Sequence, residues 1–301
     1  MSDATSVSEP KRRNKLADFF GRLWREKPLG TASGIIVLIL ILVAVFADAL
    51  APYPPAEINP ADRLQGSSAQ HLLGTDHIGR DFLSRLIYGA RLSIVVGLSA
   101  TALNVMVALL IGGISGFLGG RLDLAAQRFV DAWMAFPGLL LLLTIMSIVG
   151  KGLAQIILVL GISGGIGSSR IVRSAVIGVK EIVYFQAAEA IGSPRWRTLI
   201  QHVLPNIMPV VIIIFSINIG GVIISEASLS FLGFGLPTNI PSLGGLLSRE
   251  GRRYMEQAPW LALWPGFALT ITVYSLNMFG DAVRDLLDPR LRGGGGHLGA
   301  L

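Results

Sequence analysis

The chain has 301 residues, of which 52% are hydrophobic and 15% charged, with a formal net charge of +6 and no cysteine; its mean hydropathy is +0.63. Soluble domains carry about 25% charged residues, so the composition excludes an ordinary soluble protein and marks an integral membrane one. Without cysteine there is no disulfide, thiolate metal site, iron–sulfur cluster or cysteine nucleophile, and basic loops of a membrane protein account for the net charge, no basic patch with stacking aromatics being present to bind nucleic acid.

Residues 1–28 form a polar segment that ends in an amphipathic stretch. Leu16, Phe19, Phe20, Leu23 and Trp24 recur at helical spacing, with Lys15, Arg22 and Arg25 flanking them. This predicts a helix lying at the membrane interface, stopped by Pro28. Residues 29–91 hold the first apolar span, about 31–50, and a proline-rich, then polar loop. Ala49-Leu50-Ala51 resembles a signal cleavage site, but the long leader and Pro52 favour an uncleaved helix.

Residues 92–283 carry five further spans, about 92–118, 136–149, 153–167 with a continuation past Arg170 left open, 207–232 and 261–280. The third and fourth are short enough for a re-entrant hairpin to be weighed against two crossings. Gly112, Gly116 and Gly120 fall on one helical face, a ladder that lets backbones approach closely in lipid. Residues 284–301 form a tail that opens with mixed charge and turns glycine-rich. The expected fold is therefore an all-α integral membrane protein with six transmembrane helices.

Six spans put both termini on one side. Seventeen of the 25 Lys and Arg residues lie in the two terminal segments and in residues 119–135 and 168–205. The positive-inside rule places those segments in the cytoplasm. No internal repeat is present to support an inverted-repeat secondary carrier.

Between the fourth and fifth spans, residues 178–205 read as a helical hairpin. Gly192 suits a helix C-cap, Ser193 an N-cap and Pro194 a first turn. Ala187 and Ala188 leave a low surface, with Tyr184, Glu189, Arg195 and Trp196 around it. From the residues alone this is equally a grip for a partner protein and an interfacial connector.

Polar groups within the spans are costly, about 3 kcal/mol for a charge at mid-bilayer. Asn218, Ser225, Glu226 and Ser228 are the candidates for a pathway or gate. Asn218 reads as facing a pore or a neighbouring helix, with Asn277 as one partner to consider. Glu226 reads either as lining a path or as held near the outer boundary, with the second favoured. In the loop before the second span, local pairing of Asp76, Arg80 and Asp81 is favoured over contact with a partner.

Two Gly-Ile-Ser-Gly runs, around Ser115 and Ser163, resemble the nucleophile motif of intramembrane serine proteases. None of the four histidines lies in a predicted span to serve as base. There is no His-Glu-x-x-His zinc pattern. Gly150-Lys151 is followed by Gly152, so no Walker A loop exists.

Gln186-Ala187-Ala188, three residues, Gly192, nine residues, then His202-Val203-Leu204-Pro205 resembles the coupling-loop motif of binding-protein-dependent ABC-transporter permeases. Gln186 replaces the usual Glu, and His202 the usual Ile. His71-Leu72-Leu73-Gly74-Thr75-Asp76, Gly79-Arg80-Asp81, Tyr88-Gly89-Ala90-Arg91, Ser225 to Gly233 and Asp288-Pro289-Arg290-Leu291 narrow the resemblance. They are similar to the C-type permease subunit of dipeptide, oligopeptide and nickel importers. The resemblance implies a pore subunit, not an enzyme, of the bacterial inner membrane, whose cytoplasmic hairpin receives force from ATPases. It implies no cofactor on this chain, with ATP and Mg used by two partner ATPase subunits. It also implies a second, homologous permease subunit and an extracytoplasmic solute-binding protein. Peptides are the expected cargo, with nickel chelates, glutathione, opines and oligosaccharides as alternatives.

Overall fold

The computed structural model describes residues 15–182, 194–237 and 239–287, and among them the regular elements are all helical. Helix α1 (Lys15–Glu26) leads into α2 (Pro28–Val45), which starts on a proline whose missing N–H is free of cost in a first turn. A short α3 (Ala47–Leu50) ends this pass. Helix α4 (Phe82–Ala108), a π-helical turn (Leu109–Gly113) and α5 (Ile114–Leu118) form one 37-residue rod. Gly119, at φ 68°, breaks it. Helices α6 (Gly120–Met134) and α7 (Gly138–Val149) then meet at 91° across Pro137.

Helix α8 (Leu153–Lys180) follows. After the undescribed residues come α9 (Arg195–Thr198), a second π turn (Leu199–Val203) and α10 (Leu204–Phe231). Helix α11 (Leu243–Leu246), a third π turn (Leu247–Gly251) and α12 (Trp260–Leu287) complete the order.

Side-chain contacts fix the directions of the rods. Lys27 Nζ meets Asp285 Oδ2 at 2.5 Å, so α2 begins where α12 ends. Lys180 Nζ donates to the Phe117 carbonyl at 2.9 Å, so the α4–α5 rod and α8 end together. At the other end Arg91 pairs with Asp48, and Trp260 Nε1 donates to the Thr75 carbonyl at 3.4 Å. The passes α2, α4, α7, α8, α10 and α12 therefore alternate in direction. Both described chain ends and residues 180 and 194 fall at one end of the bundle, and the 51–81 and 232–259 segments at the other, the loop end.

Among the described residues five helices are long and apolar enough to cross a membrane, and the bent α6–α7 pair, counted as one span, makes a sixth. Two helices outrun their apolar cores: one starts at Phe82 where 92 was expected, and α8 runs on to Lys180, the longer of the two readings open for it. The added turns carry Arg85, Arg91, Arg170 and Arg173, which lower the local hydropathy. Those arginines are paired, so the helices continue through them. The third span is short, as expected: its 12 helical residues rise only about 18 Å against a hydrocarbon core of about 30 Å.

The α4–α8 contact organises the bundle. A Cβ on Gly112 would lie 2.0 Å from the Ser169 carbonyl oxygen, and one on Gly116 would lie 3.1 Å from that of Arg173. From the other side, a Cβ on Gly161 would lie 2.7 Å from Leu103, and one on Gly165 2.7 Å from the Asn104 carbonyl oxygen. Gly120 faces open space beyond the break. Apolar layers flank this seam, one around Val96, Met146, Ile156 and Leu229, another around Val176, Val203 and Ile207. Helix α2 packs across α12 through Gly30 and Gly34, which touch Ala282 and Phe279. Leu23 of α1 is buried against Ala282 and Leu286, while Trp24 is exposed.

Replacing Gly112 by Val must push the two backbones apart, and overpacking of this kind costs about 1–3 kcal/mol. Gly112→Val is expected to lower the unfolding midpoint of the purified protein in detergent. Gly221→Ala, which fills open space, should leave it within the effect of a surface change.

Candidate functional site

The sequence-singled polar residues separate once the helices are packed. Asn218 and Ser225 line a groove of about 440 Å³ between α4, α7, α8 and α10. Asn104 and Ser163 join them, so four uncharged polar groups face one space. Asn218 Nδ2 donates to Ser168 Oγ at 3.3 Å, and Ser225 Oγ to the Gly221 carbonyl at 2.8 Å. Gly164, Gly167 and Gly221 keep the wall low, and Trp133, Met134, Phe136 and Leu160 form its apolar part. Such a lining solvates a small solute in passing, and nothing on it supplies a nucleophile paired with a base.

Glu226 faces elsewhere. It is completely buried, accepts from Ser230 Oγ at 2.7 Å, and sits next to Ala227, whose carbonyl a Cβ on Gly244 would touch. The α10 end is thereby held against α11. Ser228 donates to the Ile224 carbonyl and borders a separate apolar crevice with Leu139 and Leu247. Asn277 packs on Gly220, away from Asn218. Sequence reading had passed over Asn104; its signal was an amide inside an apolar run.

The loop end carries a closed ring of charge. Arg80 bridges Asp76 at 2.5 Å and Glu250 at 2.8 Å. Arg85 bridges the same two carboxylates, at 2.9 Å to Glu250 and 3.5 Å to Asp76. All four are buried. Asp76 Oδ1 also accepts from the Ile78 and Arg80 backbone N–H groups. Asp81 caps α4, accepting from the Ser84 N–H at 2.8 Å and hydroxyl at 2.7 Å, and meets His71 Nδ1 at 2.9 Å. Local pairing thus holds Asp76, Arg80 and Asp81, as expected. Burial pushes the Glu250 carboxyl above its usual range, against the pull of the arginines. Glu250 lies 165 residues from Arg85, so no sequence pattern could have joined them.

At the opposite end, Arg173 grips Asp123 through two 2.6 Å hydrogen bonds, and Arg170 pairs with Asp131. These tie α6 to the last turns of α8. Of the hairpin residues, Tyr184, Gln186, Ala187, Ala188, Glu189 and Gly192 lie outside the described residues. Arg195 opens α9, its side chain likewise undescribed, and Trp196 is 68% exposed.

The hydrolase alternative fails on placement. Ser115 is buried in α5 against the α8 seam, Ser163 lines the groove, and His71 and His77 belong to the loop end.

Glu250→Ala would strand two buried arginines, a loss of about 3–5 kcal/mol. Equilibrium unfolding in mixed micelles should show that loss, a smaller one for Glu250→Gln, and less than additive behaviour when Arg80→Ala is combined with Glu250→Ala.

Residues 108–293 match the family described as the binding-protein-dependent transport system inner membrane component. Residues 15–66 match the N-terminal transmembrane domain of oligopeptide transport permease C. The chain is 37% identical to the dipeptide transport system permease protein DppC of Alkalihalophilus pseudofirmus, over 89% of this chain and 90% of that one. It is 35% identical to the glutathione transport system permease protein GsiD of Pectobacterium atrosepticum, over 95% of each. It is also 35% identical to the oligopeptide transport system permease protein OppC of Bacillus subtilis, over 89% and 88%. Among solved structures, a chain from inward-facing conformations of the MetNI methionine ABC transporter superposes with a TM-score of 0.54. That match has 18% identity and covers 68% of this chain and 96% of that one.

Proposed function

This chain belongs to the binding-protein-dependent transport family, as an inner-membrane permease component and not an enzyme, and on that premise we propose that it forms half of the pore of an ATP-driven importer of peptides or similar small solutes. The observation that carries the reading is the uncharged groove between α4, α7, α8 and α10. It is open along one flank, and a second, homologous permease subunit facing it would close a conduit. Asn104, Ser163, Asn218 and Ser225 then offer hydrogen bonds that replace water without holding cargo tightly. Dipeptide and oligopeptide permeases among the relatives support peptides as cargo.

The energy source lies on other chains. No Walker A loop is present in the sequence, so two ATPase subunits using ATP and Mg supply the work. Residues 178–205 are their point of grip, with Tyr184, Gln186, Ala187, Ala188, Glu189, Gly192, Arg195 and Trp196 as contact residues. The exposed indole of Trp196 in α9 supports a docking role there. The excess of Lys and Arg at that end supports a cytoplasmic placement of both termini. A solute-binding protein delivers cargo at the loop end. The tie between α6 and α8 through Arg173 and Asp123 gives hairpin movement a route into the groove wall.

The absence of cysteine makes two tests direct. Ser225→Cys should react with a membrane-impermeant thiol reagent in reconstituted complexes, whereas Ile217→Cys, on the lipid-exposed face, should not; equal labelling of both would remove the groove reading. Gly192→Asp should abolish ATP-dependent uptake while leaving membrane insertion intact, and unimpaired uptake by that variant would defeat the coupling assignment.

A further inference from the structure

At the loop end a second cavity, of about 530 Å³, opens between the Asp76–Arg80 turn and the 249–254 segment. Its walls include His77, Arg80, Arg249, Glu250, Arg253 and Tyr254. The charge is unevenly used. Asp76 and Glu250 neutralise Arg80 and Arg85 within the ring. Arg249 donates instead to the Leu236 carbonyl, and Arg253 lies over the Tyr254 ring at 5.8 Å; among the described residues neither is paired to a carboxylate. The cavity thus carries two surplus guanidinium charges.

Two buried polar atoms there lack a hydrogen-bond partner, Glu250 Oε2 and His77 Nδ1. Glu250 is only 2% exposed, so the unpaired oxygen is costly unless something supplies a donor. A bare metal ion is a poor fit. The ligating atoms of Asp76, His77 and Glu250 lie within 4.8 Å of one another, but both Asp76 oxygens are already engaged by arginines and backbone N–H groups. Two extra guanidinium charges also oppose a cation. A fully deprotonated anion such as sulfate satisfies the arginines but gives the Glu250 oxygen no donor.

A peptide end meets both demands. Its terminal carboxylate suits a guanidinium pair, where charge-assisted hydrogen bonds are strong. The amide N–H one residue back is a neutral donor for Glu250 Oε2 or the His77 ring nitrogen. Burial holds the His77 imidazole below its usual value, so the ring is neutral and can accept. The stacked His77 and Tyr254 rings, 5.3 Å apart and 17° from parallel, give a flat wall for a peptide plane.

We infer that this cavity binds the free C-terminal end of a peptide, with Arg249 and Arg253 taking the carboxylate and Glu250 and His77 the adjacent amide. The inference rests on the importer reading for its biological sense, since it places a peptide hold at the loop end, separate from the groove.

The test uses the full-length chain in lipid nanodiscs and two probes, N-acetyl-trialanine with a free C-terminal carboxylate and the same peptide as its C-terminal amide, each titrated by calorimetry. The acid should bind saturably and the amide at least about tenfold more weakly, the loss expected from one charged hydrogen bond. Arg249→Gln and Arg253→Gln should each weaken the acid by a similar factor and leave the amide unchanged. Arg253 is exposed, so its variant should fold even if Arg249→Gln does not. Arg91→Gln, at the same end but paired with Asp48, serves as the control and should bind like the parent. Equal binding of acid and amide, no saturable binding, or discrimination that survives Arg253→Gln overturns the inference. ATP-driven uptake measured in parallel in proteoliposomes holding the complete transporter complex separates the two ideas: uptake without discrimination removes this site and leaves the importer, whereas absent uptake with discrimination removes the importer alone.

Discussion

The close approach of α4 to α8 is the constraint on which the rest of the molecule depends. Lipid tails are as apolar as leucine, so helices gain little by hiding apolar surface from them. What holds two rods together is van der Waals contact at short range, and that requires backbones without side chains between them. Gly112 and Gly116 on one rod and Gly161 and Gly165 on the other supply it at four successive heights. The seam sets Asn104 against Gly164, and so brings the amide to the groove that Ser163 and Asn218 share. The same contact, carried downward, brings Lys180 to the Phe117 carbonyl and Arg173 to Asp123.

Charge is kept out of the middle and used differently at the two ends. At the loop end it is enclosed, four side chains closing on one another in direct contact with their charges balanced. A ring of this kind is weak evidence for stability, because desolvation offsets much of the attraction. Its value is in specifying one arrangement, since Glu250 comes from a distant stretch and only one register satisfies both arginines. At the other end the pairs are more exposed and link separate helices. Partly solvated pairs of this sort can break and re-form at modest cost, which suits a region where parts must shift.

Much of this was legible in the residues. Long apolar runs gave the passes, and local spacing gave the pairing of Asp76 with Arg80. Hydropathy registers arginine as a boundary, whereas a paired arginine is compatible with a continuing helix, so α4 begins earlier than expected. The Gly112, Gly116 and Gly120 ladder was extended one turn too far, because helical spacing takes no account of the left-handed Gly119 that ends the rod. Glu226 drew attention as an ionisable group in a span, but its side chain turns toward the neighbouring turn and away from the groove. Direction around a helix with almost no amphipathic bias is set by packing partners, and those are not written in the local pattern.

The elbow at Pro137 has a consequence for the surrounding bilayer. Helix α7 alone covers about 18 Å of a hydrocarbon layer about 30 Å deep. The missing depth is occupied by the turn and by the end of α6, lying nearly crosswise and presenting Phe129, Trp133 and Phe136. Aromatic rings favour the headgroup level, a setting that suits the exposed Phe129 and Phe136. A bilayer of ordinary thickness meeting this corner must therefore either thin beside it or admit the crosswise end of α6 into its hydrocarbon, each at a modest cost per ångström of mismatch.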